Sequence, residues 1–148
     1  MRAALQPIQS RRMRKGDPGG EQSSVDARGI RPPSVYAIEA YRTPEGVVVL
    51  ALDGELDLAA APALREQLDS ARVSAPRGVV LDMTAVTFLD SSALREVLRA
   101  DEALRADGAS LVLAAVRPPV ARLLELTRTT NLVTAVPTVE EALQRAAA

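Results

Sequence analysis

Short apolar segments rich in β-branched residues alternate with amphipathic segments from Val35 to the end of this 148-residue chain. The segments at 47–52, 79–83 and 111–116 are typical of buried strands. Segments with an apolar residue every three or four positions follow them and are typical of helices that cover a sheet. This alternation predicts an α/β domain with right-handed crossovers, in which a mostly parallel sheet of four or five strands packs with about four helices.

Turn and cap residues separate these segments. The turn at 43–46 joins the first two predicted strands closely, so we expect them to pair antiparallel and to make the sheet mixed. Gly54 closes the second strand, and Gly108 stands where a left-handed residue would end a helix. Thr138 and Glu141 form the T-x-x-E pattern of a capping box and predict the start of the last helix.

Residues 1–33 differ in composition from the rest of the chain. They contain seven arginine or lysine residues against three acidic ones, together with several prolines and glycines. Such a segment buries too little apolar surface to offset the entropy of ordering it. We therefore predict a disordered basic extension at 1–33 and one folded domain at 34–148. A charge cluster this short and mixed is more typical of a solvated tail than of an arm that binds nucleic acid or a membrane surface.

The residue types that are missing exclude many functions. The chain has no cysteine and no histidine, so it cannot form a disulfide, a thiolate or histidine zinc site, or a Ser-His-Asp triad. A net charge of −1 and an aromatic content of 2% give no reason to expect nucleic acid as a partner. The apolar runs are far shorter than the roughly 20 residues that span a bilayer, and no secretory signal is evident. We expect a cytoplasmic protein that is not an enzyme and needs no cofactor or metal.

One local motif differs from these structural signals. The sequence FLDSSAL at 88–94 lies where the connection after the third predicted strand enters a helix. Asp90 and Ser91 at a helix start are typical capping residues, because their side-chain oxygens accept hydrogen bonds from unpaired backbone N–H groups. The same helix end tolerates a phosphate on Ser91, and about −1.5 to −2 of added charge would repel an acidic or apolar partner surface. The capping and phosphorylation hypotheses are compatible.

Two further aspartates occupy predicted strand ends, which is where open α/β sheets place their sites. Asp57 follows the second strand and Asp82 lies at the end of the third. For Asp57, the local pattern favours a role in the turn before a helix over a functional role. Grouped with Asp90, the two acids allow a third hypothesis, an enzyme that uses a divalent metal. A phospho-acceptor aspartate of the receiver type would need a late lysine, and the only lysine is Lys15.

Five sequence blocks, in order, resemble the sulfate transporter and anti-sigma factor antagonist (STAS) domain: LDGELD at 52–57, VVLDM at 79–83, FLDSSAL at 88–94, VRPPVARLLEL at 116–126 and TVEEAL at 138–143. The resemblance covers residues 35–148. It implies an anti-anti-sigma factor that binds an anti-sigma factor, itself a serine kinase with a histidine-kinase-like ATPase fold, and so frees a sigma factor. It also implies that phosphorylation of Ser91 ends the complex and that a serine phosphatase resets the cycle.

The resemblance implies a partner-binding surface formed by six residues: Asp57, Asp90, Ser91, Ser92, Ala93 and Arg95. We expect structural roles for Gly54, Asp82 and Gly108. The family generally has glycine where Ala93 stands and often a small residue where Arg95 stands. These departures motivate an alternative, a scaffold or small-ligand sensor that is not phosphorylated. The sequence leaves open whether Ser92 is a second phosphate acceptor.

Overall fold

A computed structural model of the chain describes residues 6–14, 36–74 and 76–148. Within these ranges six strands form one sheet, in the order of the chain: β1 (Gln6–Arg14), β2 (Tyr36–Arg42), β3 (Val47–Leu56), β4 (Gly78–Leu89), β5 (Ser110–Ala114) and β6 (Thr134–Val136). Four helices connect or follow them: α1 (Ala61–Val73), α2 (Ser91–Ala106), α3 (Pro118–Leu126) and α4 (Val139–Ala147). Strands β2 to β6 and the four helices confirm the predicted α/β domain.

The sheet is mixed, as the turn at 43–46 predicts. Strand β2 pairs antiparallel with β3, whereas β3, β4, β5 and β6 are mutually parallel. Gly46 has a φ of +89°, and the Thr43 hydroxyl accepts a hydrogen bond from the Val47 N–H at 3.1 Å. A left-handed residue and a side-chain acceptor together close the tight connection that antiparallel pairing requires.

Strand β1 lies within the basic extension predicted at 1–33 and adds a sixth strand to the five that the alternating pattern predicts. The strand pairs antiparallel with β2, and its register shifts between Pro7 and Arg12. A strand at the edge of a sheet gains backbone hydrogen bonds from the open side of its neighbour and needs little apolar surface of its own. Composition reports apolar burial and therefore gives no sign of this pairing. The remainder of the predicted extension lies outside the described residues.

Apolar residues cover both faces of the sheet, as parallel strands require. Because side chains alternate along a strand, Val48 and Leu50 pack on the same face as α1, α2 and α3, whereas Val47 and Val49 pack on the face of α4. At Gly78 an added Cβ would lie 2.5 Å from the carbonyl oxygen of Ala146. The glycine therefore permits the close approach of α4 to the start of β4.

Strand β4 extends beyond the segment predicted for it, so Asp82 lies inside the strand and not at its end. Pairing with β3 passes through a register shift, beyond which β4 continues to Leu89. The Asp82 carboxylate stabilises this irregularity by accepting hydrogen bonds from the N–H of Thr84 at 3.0 Å and from its hydroxyl at 2.5 Å. The second half of β4 carries two threonines, Thr84 and Thr87, which together with Asp82 break the apolar pattern on which the sequence prediction depended.

Local caps end and begin the helices as predicted. Gly108 has a φ of +79°, and its N–H donates to the Arg105 carbonyl while the Ala109 N–H donates to Leu104. These two bonds are those of a Schellman motif at the end of α2. At the start of α4, the Thr138 hydroxyl accepts a hydrogen bond from the Glu141 N–H at 3.1 Å.

Candidate partner-binding site

The loops that follow β3 and β4 lie side by side at one edge of the sheet. The last paired residues of the two strands are Leu56 and Leu89. The Asp90 N–H then donates to the Leu56 carbonyl at 3.1 Å. Because the two strands end together, the Asp57 loop and the start of α2 form one continuous surface.

Asp90 is the N-cap of α2. Its carboxylate accepts hydrogen bonds from the Ala93 N–H at 3.0 Å and from the Ser92 hydroxyl at 2.7 Å. Burial opposes ionisation of this carboxyl group, but hydrogen bonds from the Ser92 hydroxyl and from the N–H groups of Ala93, Ser92 and Leu58 outweigh the burial and lower its pKa. Asp90 therefore fixes the first turn of the helix as a carboxylate, and its backbone N–H bond to the Leu56 carbonyl joins the helix to the neighbouring loop.

Asp57 organises that neighbouring loop. Its carboxylate accepts hydrogen bonds from the N–H groups of Ala59 at 3.0 Å and Ala60 at 3.2 Å, and its carbonyl oxygen also accepts from Ala60 and Ala61. These bonds support the interpretation of Asp57 as a turn residue before α1. Gly54, three residues earlier, lies inside β3, so the prediction that it closes this strand is wrong. Its φ of +92° adjoins a register shift through which β3 continues to Leu56.

The two adjacent serines have different environments. Ser91 is the first residue of α2 and is exposed, and its side chain makes no hydrogen bond within the described part of the chain. Ser92 is half-buried and donates its hydroxyl hydrogen to Asp90. A reagent approaching from solvent therefore reaches the Ser91 hydroxyl directly, whereas the Ser92 hydroxyl must first leave its bond to Asp90.

Ala93 and Arg95 occupy opposite environments. The Ala93 side chain is fully buried in the core, so it does not contribute to a surface, contrary to the prediction. Ala93 is the third residue of α2, and its N–H is the group that the Asp90 carboxylate caps. Arg95 is exposed one turn after Ser91 and has no hydrogen bond or ion pair among the described residues.

Two exposed apolar residues beside the serine were missed from the sequence. Leu58 is 72% exposed and Phe88 is 45% exposed. Leu58 follows Asp57, in the loop that begins where Asp90 bonds the Leu56 carbonyl, and Phe88 precedes Asp90 by two residues. Phe88 is the only phenylalanine of the chain, which is the one sequence feature that could have drawn attention to it. Its exposure is visible only in the structure. We define the Ser91 surface by five residues: Leu58, Phe88, Asp90, Ser91 and Arg95.

Asp82 lies apart from this surface. It lines a shallow cleft on the sheet with Glu39 and Asp53. Within residues 6–14, 36–74 and 76–148, no group of three acidic side chains is placed to hold a metal ion. The structure therefore does not bring together Asp57, Asp82 and Asp90, on which the metal-enzyme hypothesis depended.

No helix in residues 6–14, 36–74 and 76–148 is long and apolar enough to cross a membrane.

This fold, with a serine exposed at the start of the helix after β4, corresponds to a described class of domain. The family model named STAS domain matches residues 39–142, more than half of the chain. The chain therefore belongs to the STAS domain family, which confirms the resemblance seen in its sequence.

Individual relatives agree with this assignment. The chain is 33% identical over 82 residues to the anti-sigma F factor antagonist of Paenibacillus polymyxa, an alignment that covers 55% of this chain and 70% of the relative. Among solved structures, it resembles an anti-sigma factor antagonist from Mycobacterium paratuberculosis with a TM-score of 0.69 and 27% identity, over 75% of this chain and 93% of that one. It also resembles the anti-sigma factor antagonist SpoIIAA in its unphosphorylated form, with a TM-score of 0.63 and 25% identity, over 73% and 94% of the two chains.

Proposed function

We propose that this protein is an anti-sigma factor antagonist that binds an anti-sigma factor through the Ser91 surface and is released when Ser91 is phosphorylated. The anti-sigma factor is a serine kinase with a histidine-kinase-like ATPase fold, and its capture frees a sigma factor in the cytoplasm. A serine phosphatase restores the binding form. The unit that performs this role is the STAS domain at 34–148.

The exposure of the Ser91 hydroxyl is the observation that carries this proposal. In the transfer, the Ser91 oxygen attacks the γ-phosphorus of ATP held by the kinase, ADP leaves, and the hydroxyl proton passes to a base of the kinase or to water. The hydroxyl is accessible and unbonded within the described residues. Ser92, by contrast, is engaged with Asp90. The environment thus favours Ser91 over Ser92 as the acceptor.

Charge on Ser91 would separate the partners without unfolding the domain. A phosphate adds about −1.5 to −2 of charge at pH 7. At the start of α2, the helix dipole and the backbone N–H groups favour negative charge. On the partner side, the same charge belongs to a surface that also carries the exposed Leu58 and Phe88, where contact with an apolar partner would require its costly dehydration. The fold therefore tolerates the modification, whereas an apolar interface does not.

The names of the relatives support the general role. The Paenibacillus polymyxa and Mycobacterium paratuberculosis proteins are both called anti-sigma factor antagonists. The structure of SpoIIAA is described as that of an unphosphorylated form, which marks that protein as one that is also phosphorylated. The exposed serine at the start of α2 supplies the corresponding acceptor in this chain.

The test is incubation of the full chain with ATP and each serine-kinase anti-sigma factor of its own genome, followed by intact-mass and peptide analysis. We expect one phosphoryl group on Ser91, none on Ser91→Ala, and normal modification of the matched control Ser92→Ala. Binding to the same kinase should be lost in Ser91→Asp. Complexes that form with no modification, and that Ser91→Asp leaves intact, would contradict the proposal and favour the unphosphorylated scaffold or sensor.

A further inference from the structure

Helix α3 presents an outward face that nothing in the described chain covers. Its buried residues, Val120 and Leu124, lie on the opposite side and pack into the core. Helical spacing places the outward residues in one stripe: Pro118, Ala121, Arg122, Glu125 and Leu126. These residues also line a groove, and Leu126 is 73% exposed. Leu126, together with Ala121 and Pro118, therefore forms an apolar surface that no described residue covers.

The two charges of this stripe are unpaired as well. Arg122 and Glu125 are exposed, and neither makes a hydrogen bond or an ion pair among the described residues. They carry opposite charge three residues apart. When α3 of a second copy runs antiparallel to this helix, the arginine of each stripe therefore faces the glutamate of the other.

A single two-fold axis satisfies both kinds of contact. When two copies of α3 cross antiparallel about an axis through the midpoint between positions 123 and 124, position 122 of one copy faces position 125 of the other. The same axis brings position 121 of one copy opposite position 126 of the other. Arg122 then meets Glu125 twice, and Leu126 covers the small side chain of Ala121 twice. In an isologous interface every contact occurs in duplicate, as here.

We infer that the outward face of α3 binds the same face of a second copy of this protein, forming a two-fold dimer. The helix has nine residues and is about 13 Å long. It buries less than the roughly 800 Å² per partner of a standard interface. The dimer is therefore weak and concentration-dependent. It uses none of the residues of the Ser91 surface and does not depend on the proposed function.

Sedimentation equilibrium of the full chain, from about 5 µM to 1 mM at low salt, tests this interface. Wild type should pass from monomer to dimer across the series, and added salt should weaken association because the ion pairs lie at the surface. Leu126→Asp should raise the dissociation constant at least tenfold. Val73→Asp is the matched control, since Val73 is 84% exposed on α1 and its replacement should leave association unchanged.

A charge exchange makes the test specific for the antiparallel register. Arg122→Glu alone and Glu125→Arg alone should each weaken the dimer, since each places like charges opposite one another twice. The double exchange restores opposite charges in both pairs and should bring association back to within about threefold of wild type. A monomer at every concentration, or a double exchange that fails to restore dimers while circular dichroism shows a folded chain, would overturn the inference.

Discussion

Asp90 and Ser92 form a side-chain hydrogen bond of 2.7 Å at the first turn of α2, and this bond distinguishes the two neighbouring serines. Ser92 is half-buried and bound to the helix cap, whereas Ser91 is exposed and unbonded among the described residues. Of the two adjacent serines, only Ser91 therefore has a hydroxyl that is both exposed and unbonded among the described residues. The same bond helps to keep the cap ionised, because it lowers the pKa of Asp90 against the effect of burial.

The two serines should therefore differ in their contributions to stability. Ser92→Ala removes the hydroxyl that donates to Asp90 and should lower the free energy of unfolding by about 0.5–1.5 kcal/mol. Ser91→Ala removes an exposed hydroxyl without a hydrogen bond and should change it by less than about 0.5 kcal/mol. Urea denaturation of both variants and wild type at pH 7 measures the difference. Equal losses in the two variants would show that the Asp90–Ser92 bond contributes nothing.

Asp90 should make stability depend on pH in the acid range. Its pKa is lowered in the folded state, so the unfolded chain binds more protons there, and the contribution of Asp90 is complete only above the unfolded value of about 3.9. As pH falls from about 5 through the folded pKa, this contribution is lost. Asp90→Asn keeps an N-cap acceptor but cannot titrate, so the stability difference between wild type and this variant should shrink as the pH is lowered. Denaturation at pH 7, 5, 4 and 3 gives that difference, and a difference independent of pH would contradict the prediction.

Leu58 and Phe88 should contribute to partner binding while contributing little to the fold. Both are exposed apolar residues, Leu58 in the loop after β3 and Phe88 near the end of β4, three residues before Ser91. Leu58→Asp and Phe88→Asp should each weaken binding of the anti-sigma factor at least tenfold, while Leu132→Asp, at a 53% exposed leucine outside this surface, should not. Calorimetric titration with the unphosphorylated proteins measures the affinities. Wild-type affinity in both surface variants would exclude this surface as the interface.

Asp101 is an acidic residue within the apolar stripe of α2, and its ion pair accounts for its place there. It is buried and pairs with Arg105 at 2.9 Å, and Arg105 also donates to the Leu132 carbonyl at 3.1 Å. Burial raises the pKa of Asp101, and Arg105 partly opposes that rise. Arg105→Gln should therefore destabilise the protein by about 1 kcal/mol at pH 7 and by less at pH 4, where protonation removes the buried charge.

The control for this prediction is another exposed arginine of the same helix. Arg95 makes no ion pair among the described residues, so Arg95→Gln should leave stability unchanged at both pH values. Urea denaturation of the two variants at pH 4 and pH 7 gives the comparison. A loss in Arg105→Gln that is the same at both pH values would assign its effect to the Leu132 bond alone.

Gly78 and Gly108 should respond to alanine for different reasons. At Gly78 a Cβ would lie 2.5 Å from the Ala146 carbonyl oxygen and 2.8 Å from its Cβ, so α4 must shift, at a cost of about 1–3 kcal/mol. At Gly108 nothing lies within 4 Å of the added atom, but a φ of +79° strains an alanine by about 1–2 kcal/mol. Unfolding measurements should show both losses. A structure of each variant should show displacement of α4 only in Gly78→Ala.

Features set by neighbours in the chain could be predicted from the sequence. The Thr138 cap, the glycine end of α2 and the Asp90 cap each depend on hydrogen bonds between residues within five positions of one another. The alternation of strand and helix patterns likewise predicts the parallel strands, because each element must bury one apolar side wherever it packs. The turn at 43–46 predicts the antiparallel pair that makes the sheet mixed. The resemblance to the STAS family likewise indicates Ser91, because it rests on sequence blocks alone.

Features that depend on distant segments required the tertiary structure. Strand β1 pairs with β2, and the second half of β4 pairs with β3, through backbone bonds that leave no mark in side-chain composition. Ala93 faces the core because of the direction in which α2 meets the sheet. The Asp90 N–H reaches the Leu56 carbonyl across 34 residues of sequence. Backbone pairing and packing between separate elements created these relationships, so local propensity determined the kinds of element, and the tertiary structure decided which side chains share the Ser91 surface.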